Sequence, residues 1–178
     1  FSIDLRDEVR AKQIKSLVIW FAGHGKFIND VGYWIPVDAR RDEEFTYYSL
    51  NTLRASMESY MNYLTHVLVI TDACESGPSF YQAMRSELKP RNCADWRATQ
   101  FKSSQIFSSA GYELAVDDSQ FTRTFANTLR GNPNTCIAIE EIVQQVTKAV
   151  SLNNQQKPTY GKITGLKDED GTFFFVKK

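Results

Sequence analysis

His66-Val67-Leu68-Val69-Ile70-Thr71-Asp72-Ala73-Cys74-Glu75-Ser76-Gly77 is the stretch that decides the fold. Val67, Leu68, Val69 and Ile70 form a short run with no polar position, the pattern of a strand covered on both faces. Such strands belong to helix-flanked parallel sheets, where sites form just outside the strands' carboxyl ends. Here the chain turns polar at Thr71 and Asp72 and presents Cys74, and Ser76-Gly77-Pro78 then bends it toward a helical pattern. A thiol on a strand-to-helix turn is accessible and near a helix N-terminus, which favours thiolate. Free cysteines are also common as small buried hydrophobes, so Cys74 alone decides nothing.

A second stretch has the same design. Leu17-Val18-Ile19-Trp20-Phe21-Ala22 reads as an apolar strand ending at Gly23-His24-Gly25. Two parallel strands ending at one sheet edge bring His24 to Cys74, fifty residues later. A histidine beside a thiol is the equipment of acyl transfer: sulfur attacks, and the imidazole moves the protons. The flanking glycines let backbone pass close to a substrate, and the Gly25 N–H is suited to hold an oxyanion.

Phe21-Ala22-Gly23-His24-Gly25, then Gly32-Tyr33-Trp34-Ile35-Pro36-Val37-Asp38-Ala39, then Asp72-Ala73-Cys74-Glu75-Ser76-Gly77 together resemble the caspase-like cysteine peptidases. The nearest branch is that of the metacaspases, paracaspases and bacterial relatives. The likeness continues through Phe107-Ser108-Ser109-Ala110-Gly111-Tyr112-Glu113 and Phe121-Thr122. A histidine about 50 residues ahead of the cysteine is also the caspase spacing. The resemblance implies a three-layer α/β/α sandwich around a mainly parallel sheet, with His24 and Cys74 catalytic. It also implies an oxyanion held by the backbone N–H groups of Gly25 and Cys74. Glu75 departs from the pattern, standing where metacaspases have histidine. The family's first strand and following helix are not evident ahead of Leu17. With Phe1 in place of an initiator methionine, we expect one caspase-like domain over residues 1–178, N-terminally incomplete.

Asp72 lies two residues before Cys74, on the same face of an extended chain. Caspases that cleave after aspartate are expected to carry glutamine there. A carboxylate resembles metacaspases and paracaspases and implies cleavage after Arg or Lys. Glu113 falls where paracaspases place a second acid. Such a pocket pairs with a cation and repels an anion. Without Cys74 beside it, Asp72 would read as a turn or helix-cap carboxylate. Ser109, Ala110, Gly111 and Tyr112 lie in a segment offering an unpaired edge, on which a protein substrate would lie as an extended strand. Three other readings fit these residues: an inactive relative kept as a binding or scaffolding module, a different α/β thiol hydrolase such as an amidase, and a redox-sensing cysteine domain. The last lacks a CxxC or a resolving cysteine near Cys74.

Elsewhere the pattern alternates strands with helices, as an α/β sheet requires. Residues 3–16 suggest the tail of a helix. Residues 26–38 suggest a hairpin turning at Asn29-Asp30 and stopped by Pro36, and Ser49 suits the N-cap of a helix to about residue 63. Residues 80–88 look helical, 89–102 a long surface loop, and 104–109 a strand. Ser119 caps a helix carrying Phe121, Phe125, Ala126 and Leu129 and closed by Gly131, and 137–150 suggest another helix. Residues 153–158 read as polar linker and 172–176 as a terminal strand.

The chain of 178 residues is 42% hydrophobic and 24% charged, ordinary for one globular core. Lys plus Arg equals Asp plus Glu at 21 each, so no overall field favours nucleic acid or a membrane as partner. No apolar run has membrane-spanning length, and the opening residues lack signal-peptide character. Cys74, Cys93 and Cys136 show no metal-ligand spacing and argue against a disulfide framework or zinc site. Free thiols suggest a reducing, cytoplasmic address. The acidic runs Asp42-Glu43-Glu44, Asp117-Asp118 and Asp168-Glu169-Asp170 read as solvated surface, and only the resemblance to calcium-binding metacaspases makes them candidate calcium ligands. No cofactor or metal is expected. By resemblance, an activating partner or regulatory domain is expected. So is a mobile, self-cleaved loop at 89–102, which carries Lys89, Arg91, Arg97 and Lys102.

Overall fold

In the computed structural model the run His66–Ala73 is one strand, buried at all eight positions and central in the main sheet. The structure describes residues 2–73, 81–82, 88, 91–109, 119–153 and 157–177. In chain order its elements are α1 (Ser2–Ala11), β1 (Ser16–Ile28), β2 (Val31–Ile35), a 3-10 turn (Glu44–Thr46), β3 (Tyr48–Ser49), α2 (Leu50–Tyr60), β4 (His66–Ala73) and β5 (Tyr81–Gln82). There follow α3 (Trp96–Gln100), β6 (Ser103–Ser108), α4 (Gln120–Gly131), β7 (Cys136–Ala138), α5 (Ile139–Asn153), β8 (Thr159–Ile163) and β9 (Phe174–Val176). The main sheet has the order β3-β2-β1-β4-β6-β8-β5. Its centre, β1-β4-β6, is parallel, and the flanking pairings are antiparallel.

Two apolar layers explain why β4 carries no polar residue between His66 and Thr71. On one face Val67 and Val69 pack with Leu17, Ile19 and Phe21 of β1 against Val9 of α1 and Leu53, Met57 and Tyr60 of α2. On the other, Leu68 and Ile70 join Phe107 and Tyr160 beneath Phe121 and Phe125 of α4 and Ile142, Val143 and Val146 of α5. This is the expected three-layer α/β/α arrangement. Ser49 caps α2 through the Asn51 N–H, and Ser119 caps α4 through the Thr122 N–H.

Several local expectations are corrected. β1 does not stop at residue 22 but runs straight through Gly23-His24-Gly25, because the first arm of the hairpin is the same strand. Tyr81 and Gln82, expected helical, pair with β8; the rest of 80–88 except Leu88 lies outside the described residues. The helix expected from 137 starts at Ile139, because Cys136, Ile137 and Ala138 pair with β9 in a separate two-stranded sheet. β8 was not anticipated: Gly161 and Lys162 interrupt its alternation, and Lys162 is accommodated by ion pairs with Asp168 and Asp170. Residues 89–102 are not all loop, since Asp95 caps α3 within them.

Cys93 and Cys136 are joined in a disulfide, with Cα atoms 6.2 Å apart and a sequence separation of 43. Spacing alone cannot reveal such a pair, which forms only where the segment ahead of α3 meets the start of β7. A cross-link closing a loop of this length stabilises by about 4 kcal/mol on the chain-entropy estimate. Disulfides are rare in the cytosol, so the thiol count no longer supports a cytoplasmic address. No helix among the described residues is long and apolar enough to cross a membrane.

Candidate active site

The β1-β4 ladder runs from Ser16↔His66 to Gly23↔Ala73, each pair offset by fifty. The fifty-residue separation of His24 and Cys74 in sequence equals the offset of this ladder. His24 is the residue after Gly23, at the point where β1 exchanges its parallel partner for the antiparallel β2, opposite Ile35. Its side chain is exposed. By strand alternation it shares a face with Val18 and Trp20, each 39% exposed, and Trp20 stands edge-on to Phe125 of α4 at 4.9 Å. Cys74 itself lies outside the described residues.

The β1-β2 hairpin holds this stretch in place. Asn29 and Asp30 both adopt positive φ, 48° and 62°, as a two-residue primed turn requires. Trp34 then stacks on Phe21 with ring centres 4.4 Å apart, and its Nε1–H donates to the Thr71 hydroxyl at 3.1 Å. That bond ties the returning arm to the end of β4. A Cβ at Gly23 would come within 3.1 Å of the Phe21 ring, so a larger residue beside His24 would disturb the stack. Gly25 pairs with Trp34.

The chain has two histidines, and the other is built differently. His66 starts β4, at the opposite end from Ala73, and is buried. Its Nε2–H donates to the Thr99 carbonyl at 3.1 Å, and its Nδ1 shares a hydrogen bond with the Ser103 hydroxyl at 2.9 Å. Burial lowers its pKa, opposed in part by the Thr99 bond. A histidine whose folded pKa is depressed stabilises fully above its unfolded pKa of about 6.5 and loses that contribution as pH falls through the folded value. Denaturant midpoints should therefore fall between about pH 7 and pH 5, and less so in His66→Gln. Equal slopes in the two proteins would remove His66 as the source.

Asp72, the next to last residue of β4, is only 5% exposed. Its Oδ2 accepts from the Thr122 hydroxyl at 2.5 Å, while Oδ1 has no hydrogen-bond partner among the described residues. Thr122 lies in the first turn of α4, but the cap there is Ser119, so Asp72 is not a helix cap and meets α4 only through the Thr122 hydroxyl. On one side Asp72 pairs with Ala22, a small exposed residue. On the other, Ser109 follows the last β4-β6 pair, Thr71↔Ser108, and its N–H donates to the Thr71 carbonyl at 2.9 Å. The unpaired edge expected in this segment therefore does not include Ser108, paired on both sides, or the Ser109 N–H. Ser109 is 0% exposed and its hydroxyl likewise has no partner among the described residues. Ala110, Gly111, Tyr112 and Glu113 lie outside the described residues. Apolar spacing singles out Phe121 and Phe125, and so passed over the contact that Thr122 makes.

Among the described residues, no group of three or more His, Cys, Asp and Glu side chains is placed to hold a metal. Asp168 accepts the Ser104 N–H and pairs with Lys162, and Glu169 accepts the Lys102 N–H and pairs with Lys167. Asp117 and Asp118 lie outside the described residues.

A family model described as Caspase domain matches residues 4–168. The chain belongs to this family, which is one of cysteine peptidases. No curated protein matches the chain.

Proposed function

We propose that this chain is a cysteine endopeptidase cleaving after Arg or Lys through a Cys74/His24 dyad. The observation that carries the proposal is the ladder register, which ends at Gly23↔Ala73, with His24 next on β1 and Cys74 the next residue in sequence after β4. The Cys74 thiolate adds to the scissile carbonyl, and backbone N–H groups of Gly25 and Cys74 hold the oxyanion. As the C–N bond breaks, His24 gives its proton to the leaving amine, and a thioester remains. His24 then takes a proton from water, whose oxygen displaces the thiolate and releases the carboxylic acid. Asp72, with Glu113 as a second acid, selects the cationic side chain, and the substrate lies extended along Ser109, Ala110, Gly111 and Tyr112. The test is a panel of peptides differing only at the residue before the scissile bond. Folded protein that cleaves none of them, with or without an activating partner, would favour the scaffolding alternative.

Processing in the 89–102 segment belongs to the same proposal. Lys102 is held there, its Nζ donating to the Met61 and Leu64 carbonyls, and Arg97 lies within α3, whereas Arg91 is in irregular backbone. An extended substrate must be non-helical, so among the described residues the cut is expected after Arg91; Lys89 lies outside the described residues. Cys93 and Cys136 would then stay in one fragment. Denaturing gels should show two separate fragments with or without reductant. Fragments that part only on reduction would place the cut after Arg97 or Lys102.

A further inference from the structure

Thr122 makes one polar contact that helix packing does not require. Its N–H already has the Ser119 hydroxyl as cap partner, and α4 is anchored by Phe121 and Phe125. Its hydroxyl nevertheless reaches across to the end of β4 and takes one oxygen of a carboxylate that is 5% exposed. A buried carboxylate oxygen left without a donor is costly, and the cost is removed when a donor arrives. Asp72 Oδ1 is such an oxygen among the described residues, and so is the Ser109 hydroxyl on the neighbouring strand. The two residues occupy successive strands at one level: Thr71 pairs with Ser108, and each lies one residue further on. On the open side the same level holds only the methyl of Ala22. The sheet edge thus presents two buried acceptors in a row, flanked by a small residue and backed by Thr122.

We infer that Thr122 is a specificity-determining positioning residue: its hydroxyl fixes Asp72 so that the other carboxylate oxygen, with the Ser109 hydroxyl one strand over, receives the cationic side chain of the substrate. This rests on the proposed cleavage after Arg or Lys. The clamp has two effects. It fixes the carboxylate's rotation, so the free oxygen is already aimed before substrate arrives. It also occupies one of the two oxygens that a guanidinium fork would grip, so the ligand meets separate acceptors from Asp72 and Ser109 and not a bidentate carboxylate. An ammonium, a point donor with three N–H groups, suits such an arrangement as well as a guanidinium. The pocket should therefore accept Lys and Arg with comparable efficiency.

The experiment compares kcat and KM on three peptides identical except before the scissile bond: Arg, Lys and citrulline, the neutral isostere of Arg. The proteins are wild type, Thr122→Val and Thr122→Ser. Wild type should favour Arg and Lys over citrulline by tenfold or more. Thr122→Val should lose roughly tenfold of that discrimination, mainly through KM, with the citrulline rate little changed. Thr122→Ser, which keeps the hydroxyl, should retain it. A loss confined to helix packing would lower all three substrates alike and would not be rescued by serine, and that result overturns the inference. So does Thr122→Val with wild-type discrimination. Wild type that does not separate Arg from citrulline points instead to failure of the Arg/Lys assignment itself.

Discussion

Replacing Cys74 with alanine is expected to abolish peptide cleavage, and replacing His24 with alanine to lower kcat by about a hundredfold to ten-thousandfold. Sulfur is the only atom in the proposed dyad that forms a bond to the substrate, so its loss leaves no route to a thioester. The imidazole moves protons at two steps, which sets the smaller but still large second figure. The double variant should be no worse than Cys74→Ala, because groups acting as one unit are not additive. Folding should be little affected by the histidine change, since His24 is exposed and lies beyond the last β1-β4 pair. Cys93 and Cys136 are bonded to one another, leaving Cys74 as the thiol outside that pair. A thiol reagent applied without reductant should therefore add once per chain and inactivate in proportion. Activity surviving in Cys74→Ala would end the dyad assignment, as would a His24→Ala enzyme with wild-type kcat.

The parts of this molecule that could be read from the sequence are those where a single physical requirement dominates. Val67 to Ile70 must be buried on both faces, so the strand, its central place and its helical layers follow from four residues. The fifty-residue spacing was legible for the same reason: two parallel strands in register convert sequence separation into adjacency. Caps at Ser49 and Ser119 and the Asn29-Asp30 turn were legible because one residue carries each signal. Illegible were features that exist only once distant segments meet. β7 reads as the start of a helix until β9 pairs with it. Glu140 looks like a solvated helix residue, yet Gln105, Tyr160 and Thr172 all donate to it in the interior. The Cys93–Cys136 bond and the Thr122–Asp72 contact are likewise long-range, and neither leaves a local pattern.

Changing Asp72 to asparagine should lower kcat/KM on Arg and Lys peptides by roughly ten- to a hundredfold, far more than it changes stability. A hydrogen bond between a cationic side chain and a buried carboxylate oxygen contributes roughly 1.5–3 kcal/mol, and each ~1.4 kcal/mol is a factor of ten. Asparagine keeps the size of the side chain, and its amide oxygen can still accept from the Thr122 hydroxyl, so the anchor on α4 survives. What the variant loses is the charge at the free oxygen. The Glu113→Gln change should act in the same direction with smaller effect, if that second acid shares the pocket. An Asp peptide should be a poor substrate for wild type, because its carboxylate would meet Asp72 with neither charge paired. Removing the charge relieves that repulsion, so the Arg-to-Asp ratio should collapse from both sides in Asp72→Asn. The readout is therefore a ratio within one protein preparation, insensitive to the fraction of active enzyme. An unchanged Arg-to-Asp ratio in the variant would confine Asp72 to anchoring α4. Efficient cleavage after Asp by wild type, with none after Arg, would place this chain with the aspartate-specific caspases.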